Sequence, residues 1–285
     1  HGFFLFVEGS KVDWAAHAND PTGVIGDLSA YDEAVKVALD FARADGQTLI
    51  ISTSDHGNGG LTIGRREAKQ YATTDDDSVV TPLRRATLTG DGLARLMAQD
   101  KSEAHIRDVL ARHWGVEDLS AQEVQAIQTA PPQAWRLQYV LGPMLSSRAG
   151  VGWTTNGHTG GDPFMHSFGP GQVSGLWENT ALAHHMARVM GFDLQALQER
   201  LFVEAAPSLA ALGLQTELDL TQAANPVLRV RNRQDEEVRL PIHKNELLTA
   251  DRTHELEGLV VLAEQTGKVY VPRQAITLIR AKLVR

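Results

Sequence analysis

Residues 3–18 read Phe-Phe-Leu-Phe-Val-Glu-Gly-Ser-Lys-Val-Asp-Trp-Ala-Ala-His-Ala, and this stretch sets the expectation for the fold. Phe3–Val7 is a continuous run of aromatic and branched apolar residues, the composition of a strand buried on both faces. Glu8-Gly9-Ser10 ends it, and Lys11–Ala18 suits a turn or two of helix. Next, a helix is expected from an N-cap at Asp27 or Ser29 to Ala44. Leu28, Tyr31, Val35, Ala38, Leu39 and Ala42 would form its apolar face, with Gly46 as the stop. Thr48–Ser54 (Thr-Leu-Ile-Ile-Ser-Thr-Ser) reads as a second buried strand. Strand, helix, strand predicts a right-handed βαβ unit. The expected fold class is therefore α/β, a mostly parallel sheet flanked by helices.

Farther along, the pattern changes twice. Gly92–Gln99, Ser102–His113, Ser120–Thr129 and Gln133–Leu145 carry helical spacing between Gly, Pro and polar breaks, which predicts a helical insertion over about 75–150. Thr154–Gly171 is a Gly-, Thr- and Asn-rich loop, and Glu178–Met190 is again helical, closed by Gly191. Beyond about residue 201 come short alternating runs: Val227–Val230, Val238–Ile242, Leu259–Ala263 and Val269–Val271. The expected organisation is a core over 1–200 carrying the insertion, and a small β-rich domain over 201–285.

The 285 residues suffice for such a core, and 42% hydrophobic with 22% charged residues is ordinary globular composition. A net charge of −8 argues against nucleic acid or an anionic membrane surface as the main partner. It is compatible with an anionic substrate if bound divalent cations reverse the field within one cleft. With no cysteine, disulfides and thiolate zinc sites are excluded. No run of about 18 apolar residues occurs, so no membrane-spanning helix is expected. Because an apolar strand opens at residue 2, the chain is read as a fragment or a processed product.

Three clusters of ligand-type residues stand out. Asp13 and His17 are four apart and share one face of a helix. Asp55 and His56 follow the second strand directly, and His158 sits in Asn156-Gly-His-Thr-Gly-Gly161. Glu8 ends the first strand. Singly, each has an ordinary explanation: a surface helix pair, a turn, a loop histidine, an exposed carboxylate. Glu8 and Asp55-His56 fall where α/β sheets bind ligands, beyond the carboxyl ends of strands, and all the clusters being incidental is much less expected than any one. His166 and Asp162 are weaker candidates beside His158. The remaining histidines, such as His105 and His184, lack partners at ligand spacing.

These segments resemble the alkaline phosphatases of bacterial type. Phe3–Ser10 with Asp13, His17 and Ala18-Asn-Asp20 is similar to the family's Val-Glu-Gly…Asp…His segment. Asp27–Leu39 resembles the helix that follows, and Thr48–His56 the strand ending in Asp-His. His158-Thr-Gly with Phe168-Gly-Pro-Gly171 resembles the last metal-binding loop, and Glu178–Gly191 the helix closing the core. The resemblance implies that Asp13, His17 and His158 hold one Zn2+, that Asp55 and His56 supply two ligands of a second, and that Glu8 is one ligand of a Mg2+ site. It implies a phosphate monoester as substrate, a serine nucleophile, an arginine on the phosphate, a homodimer as the full enzyme, and a secreted, periplasmic or cell-envelope location. The tail resembles a small domain attached to some bacterial members, and Gly267–Pro272 resembles amine-oxidase-like repeats of secreted proteins.

One departure matters. The family's nucleophile lies in an Asp-Ser-Ala type segment ahead of Val-Glu-Gly, and no such segment occurs in these residues. Ser54 matches a small-residue position, while Ser29 and Ser120 suit helix caps. The carboxylate shared by the second zinc and magnesium is also missing. Arg65, Arg66, Arg84 and Arg85 are present, but no motif places them on a phosphate. The expectation is the C-terminal portion of the enzyme, inactive alone, with the N-terminal half as its partner and with an exposed apolar face that promotes self-association. Two alternatives are a non-catalytic zinc-binding module and a related metallohydrolase or mutase such as cofactor-independent phosphoglycerate mutase. The Val-Glu-Gly and His-Thr-Gly segments count against the latter.

Overall fold

The computed structural model describes residues 2–65, 76–131 and 133–284. It divides into two compact units, His1–Trp177 and Glu178–Arg285. The division thus falls ahead of the expected boundary near residue 200. The mixed α/β class holds: helices and several small sheets alternate along the chain.

In the first unit, α1 (Ser10–His17) is followed by the long α2 (Pro21–Asp45). The start of α2 lies ahead of the expected Asp27 or Ser29, because Asp20-Pro21 is the stronger signal. Asp20 Oδ1 accepts from the backbone N–H groups of Thr22 and Gly23, and Pro21 occupies the first turn, where its missing N–H is harmless. Ser29 instead donates its hydroxyl to the Ile25 carbonyl from within the helix. Gly46, at φ 69°, ends α2 as expected.

Among the described residues the expected parallel sheet does not form. Phe3–Val7 has no strand pairing, and its side chains are 57–79% exposed. A strand needs partners for its N–H and C=O groups, and no described strand pairs with this run, whose Phe3 ring lies 6.1 Å from Phe41 on α2. β1 (Ile50–Thr53) pairs antiparallel with β6 (Met165–Phe168), so the expected βαβ unit is replaced by a pairing across the insertion. Two short antiparallel ladders sit beside it: β2 (Gly57–Asn58) with β5 (His158–Thr159), and β3 (Thr62–Ile63) with β4 (Val151–Gly152). Every strand pair among the described residues is antiparallel.

Between β3 and β4 lies the helical insertion: α3 (Asp76–Arg85), α4 (Gly90–Leu96), α5 (Glu103–Trp114), α6 (Ala121–Thr129) and α7 (Ala134–Arg148). Thr89, Ser102 and Ser120 cap α4, α5 and α6, and Ser120 with Glu123 forms a full capping box. The apolar spacing converges on Leu93, Met97, Ile106, Leu110, Trp114, Ile127, Leu137, Leu141 and Leu145, all buried. Each such side chain contributes roughly 1.5–3 kcal/mol on leaving water. This core also braces the ligand-bearing segment. Asp20 is fully buried, and its Oδ2 accepts from Gly90 N–H at 2.7 Å and Gln138 Nε2 at 3.1 Å. Gly142 on α7 lies so close to the end of α1 that a Cβ there would stand 2.3 Å from the Ala18 carbonyl oxygen.

The second unit opens with α8 (Asn179–Val189), α9 (Leu194–Leu201), β7 (Val203–Glu204) and α10 (Ala205–Ala210). Its main sheet is antiparallel in the order β12-β11-β10-β9-β8, from Thr253–Glu255, Glu246–Leu248, Glu237–Pro241, Val227–Arg231 and Gln215–Asp219. Period-two alternation buries Leu228, Val230, Val238, Leu240 and Leu247 on one face. The other carries Arg229 bonded to Asp219 and Arg231 bonded to Glu237. A second sheet runs β13 (Val261–Ala263), β14 (Lys268–Val271), β7, and α11 (Arg273–Leu283) adds Ala275, Ile279 and Leu283 to the core.

Candidate metal centre

Asp13 and His17 lie one turn apart on α1, so their side chains meet: Asp13 Oδ2 is 3.5 Å from His17 Nε2. The opposite ring nitrogen, Nδ1, is 2.5 Å from the Asn156 carbonyl oxygen. A carbonyl only accepts, so Nδ1 carries the proton in that bond and Nε2 of the neutral ring presents a lone pair. Asn156 Nδ2 in turn donates to the His17 carbonyl at 2.8 Å, clamping the loop to the end of α1. Two acceptors, a carboxylate oxygen and an imidazole lone pair, repel at this distance unless a proton or a cation lies between them.

The third group arrives through the β2–β5 ladder, which pairs Asn58 with His158 and Gly57 with Thr159. One ligand atom from each of Asp13, His17 and His158 then lies within 4.8 Å of the others. Zinc bonds nitrogen and oxygen at about 2.0–2.2 Å in a tetrahedron, which sets neighbouring donors about 3.3–3.6 Å apart. The observed 3.5 Å between Asp13 and His17 fits that spacing. One carboxylate and two imidazoles are also a donor set that suits zinc chemically.

His56 stands beside this trio, its ring stacked on His158 at 3.5 Å between centroids and 19° between planes. Asp55 lies 3.4 Å from His56 Nε2 with its own side chain 86% exposed. The Asp55-His56 pair is therefore adjacent to the three-residue cluster but outside it. Glu8 lies on the exposed apolar run and is not gathered with the others. His166 sits on β6 opposite Ser52, and both it and Asp162 are exposed. Ser54 donates its hydroxyl to the His56 carbonyl, a turn contact. Arg65 bonds Ser147, and Arg85 packs against Gly115, away from the cluster's residues; Arg66 lies outside the described residues.

Reasoning from ligand types missed the two asparagines. Asn58 Nδ2 donates to Asp13 Oδ1 at 2.6 Å, and Asn156 holds His17 from both sides of its peptide. Their signal was positional: each lies within two residues of a predicted ligand, in a Gly-rich run.

Residues 1–192 match the family model described as alkaline phosphatase. Alkaline phosphatase 4 of Bacillus subtilis is 32% identical over 193 residues, covering 66% of this chain and 40% of the relative. The repressible alkaline phosphatase of Saccharomyces cerevisiae is 30% identical over 221 residues, covering 70% and 38%. Among solved structures, the cold-active alkaline phosphatase of a Shewanella species superposes with a TM-score of 0.53 at 26% identity, over 65% of this chain and 45% of that one. The chain thus spans about 40% of the length of the curated relatives it matches. By the extent of the family match and the convergence of the predicted ligands, this chain belongs to the alkaline phosphatase family.

Proposed function

We propose that Asp13, His17 and His158 hold a zinc ion in an enzyme that hydrolyses phosphate monoesters. The observation that carries this reading is the convergence of three ligand atoms from positions 13, 17 and 158. Asp13 would contribute negative charge to offset the cation, and the bond from His17 Nδ1 to Asn156 selects the tautomer whose Nε2 lone pair faces the site. Stacking on His158 sets His56 beside the first site, where it and Asp55 would supply ligands to a second zinc. Glu8 would be one ligand of a magnesium ion. When bound, such cations supply positive charge to the phosphate oxygens and to the departing oxygen.

The serine nucleophile and the phosphate-binding arginine would come from polypeptide outside these 285 residues. The absence of an Asp-Ser-Ala segment and the share of the relatives spanned both support this. A homodimer outside the cytoplasm is proposed on family membership alone.

The test is hydrolysis of an aryl phosphate by this chain and by the longest reading frame containing it, each loaded with zinc and magnesium. We expect hydrolysis by the longer product, and a loss of at least 100-fold on His17→Ala or His158→Ala. A folded, metal-loaded product that hydrolyses no phosphate monoester overturns the proposal. Zinc binding without hydrolysis would instead favour a non-catalytic zinc module.

A further inference from the structure

The run Gly57-Asn58-Gly59-Gly60 follows the Asp55-His56 pair. At three of its four positions the surroundings leave no room for a side chain. A Cβ on Gly57 would lie 2.4 Å from Thr159 Oγ1, and one on Gly60 would lie 2.7 Å from Thr154 Oγ1. A Cβ on Gly59, already at φ 73°, would meet the Trp153 ring at 2.6 Å and the Ala16 carbonyl at 3.1 Å. This backbone is therefore pressed against both the segments flanking His158 and the end of α1. Asn58 carries the run's only side chain.

That side chain is directed at one residue. Asn58 Nδ2 donates to Asp13 Oδ1 at 2.6 Å and to the Asp13 backbone carbonyl at 3.2 Å. Both partners only accept, so the amide's orientation is settled: turning it over would set three acceptors against one another. Its Oδ1 is buried and accepts no hydrogen bond among the described residues. The amide is thus held in place for its donor end alone. The two carboxylate oxygens divide their work accordingly. Oδ1 is engaged by Asn58, while Oδ2 is the oxygen 3.5 Å from His17 Nε2.

We propose that Asn58 is a positioning residue for the cation site, fixing the rotation of the Asp13 carboxylate so that Oδ2 faces the two imidazoles. The same residue pairs with His158 across the β2–β5 ladder, so one position ties two of the three ligands together. This inference rests on the zinc reading given above. Residues that hold metal ligands in this way typically change affinity 10–100-fold when replaced.

The experiment is zinc affinity of the full chain, measured by competition with a chromophoric chelator, for wild type, Asn58→Leu, Asp13→Asn and the double variant. Cobalt(II) absorption of each reports the ligand set. The expected result is a 10–100-fold loss for Asn58→Leu with a shifted cobalt band. In the Asp13→Asn background the same change should cost less than about threefold, because the carboxylate it acts through has gone. A purely structural role would leave the loss undiminished in that background, and that outcome overturns the proposal. So does wild-type affinity in Asn58→Leu. If the leucine variant does not fold by circular dichroism, Asn58→Ala carries the same expectations. A wild-type chain that takes up no zinc would instead remove the metal-site reading itself, and the role of Asn58 with it.

Discussion

The helical insertion and the segment that bears the ligands are built on opposite principles within one unit. Across α4–α7, Leu93, Ile106, Leu110, Trp114 and Leu141 are at most 1% exposed. In the stretch from Phe3 through α2, Phe3, Phe6 and Val37 are 65%, 79% and 71% exposed, and α1 buries only alanines, Ala15 and Ala16. The insertion is held by its own apolar interior. The ligand frame is held by polar bonds and close backbone approach, through Asp20, Asn58, Asn156 and Gly142. The proposed metal site would tolerate that economy, because a bound cation would add a strong local constraint.

The largest effect should come from opening the insertion's core. Leu141→Ala is expected to cost about 3–4 kcal/mol in urea unfolding, since it removes a fully buried side chain from the helix that braces α1. A loss under about 1 kcal/mol would break the contrast.

A smaller, pH-dependent effect sharpens it. The hydrogen bonds from Arg148, helped by Ser120, hold the Glu123 carboxyl well below its ordinary 4.5, at about 2. The folded carboxyl therefore binds its proton only at lower pH than the unfolded one, so its stabilisation is complete above about 4.5 and is lost as pH falls towards 2. Glu123→Gln should cost about 1–2 kcal/mol at neutral pH, a figure kept low because the pair is partly screened. It should also flatten the acid slope of the urea midpoint between pH 4.5 and 2.

The smallest effect is expected on the exposed run. Phe4→Ser should change the stability of this chain by no more than about 0.5 kcal/mol, because Phe4 is 57% exposed. A loss of about 2 kcal/mol or more in the same urea titration would mean the run packs against something in solution.

The same contrast explains what could be read from the chain alone. The helices of the insertion were legible because each carries its own cap and spacing: Ser102 ahead of Glu103–Trp114, and Ser120 ahead of Ala121–Thr129. In the second unit the alternating runs at Val227–Val230 and Val269–Val271 were likewise visible, within the strands Val227–Arg231 and Lys268–Val271, whereas Gln215–Asp219 and Thr253–Glu255, polar edge strands, were not. Asp13, His17 and His158 each have an ordinary explanation alone, and it was the family resemblance of the segments around them that grouped them as one site. The pairing of β1 with β6 was hidden, since nothing local records a partner that arrives more than a hundred residues later. Phe3–Val7 has the composition of a strand, but composition does not supply neighbours.

The β3–β4 ladder sets the order in which this unit can assemble. Thr62 faces Gly152 and Ile63 faces Val151, with Gly64 N–H bonded to the Gly150 carbonyl, just beyond the rungs that carry Asn58 and His158. Bringing position 156 to position 17 through a coil spanning 139 residues would carry a closure entropy that rises with the logarithm of loop length. The α3–α7 bundle forms from contacts short in sequence, and Val79 on α3 packs with Ala149 and Val151 at its far end. Once folded, it replaces most of that coil with a rigid body whose two ends already meet at the clasp. The imidazole at 158 then has only a short tether to search along, so helix packing is expected to precede assembly of the proposed cation site.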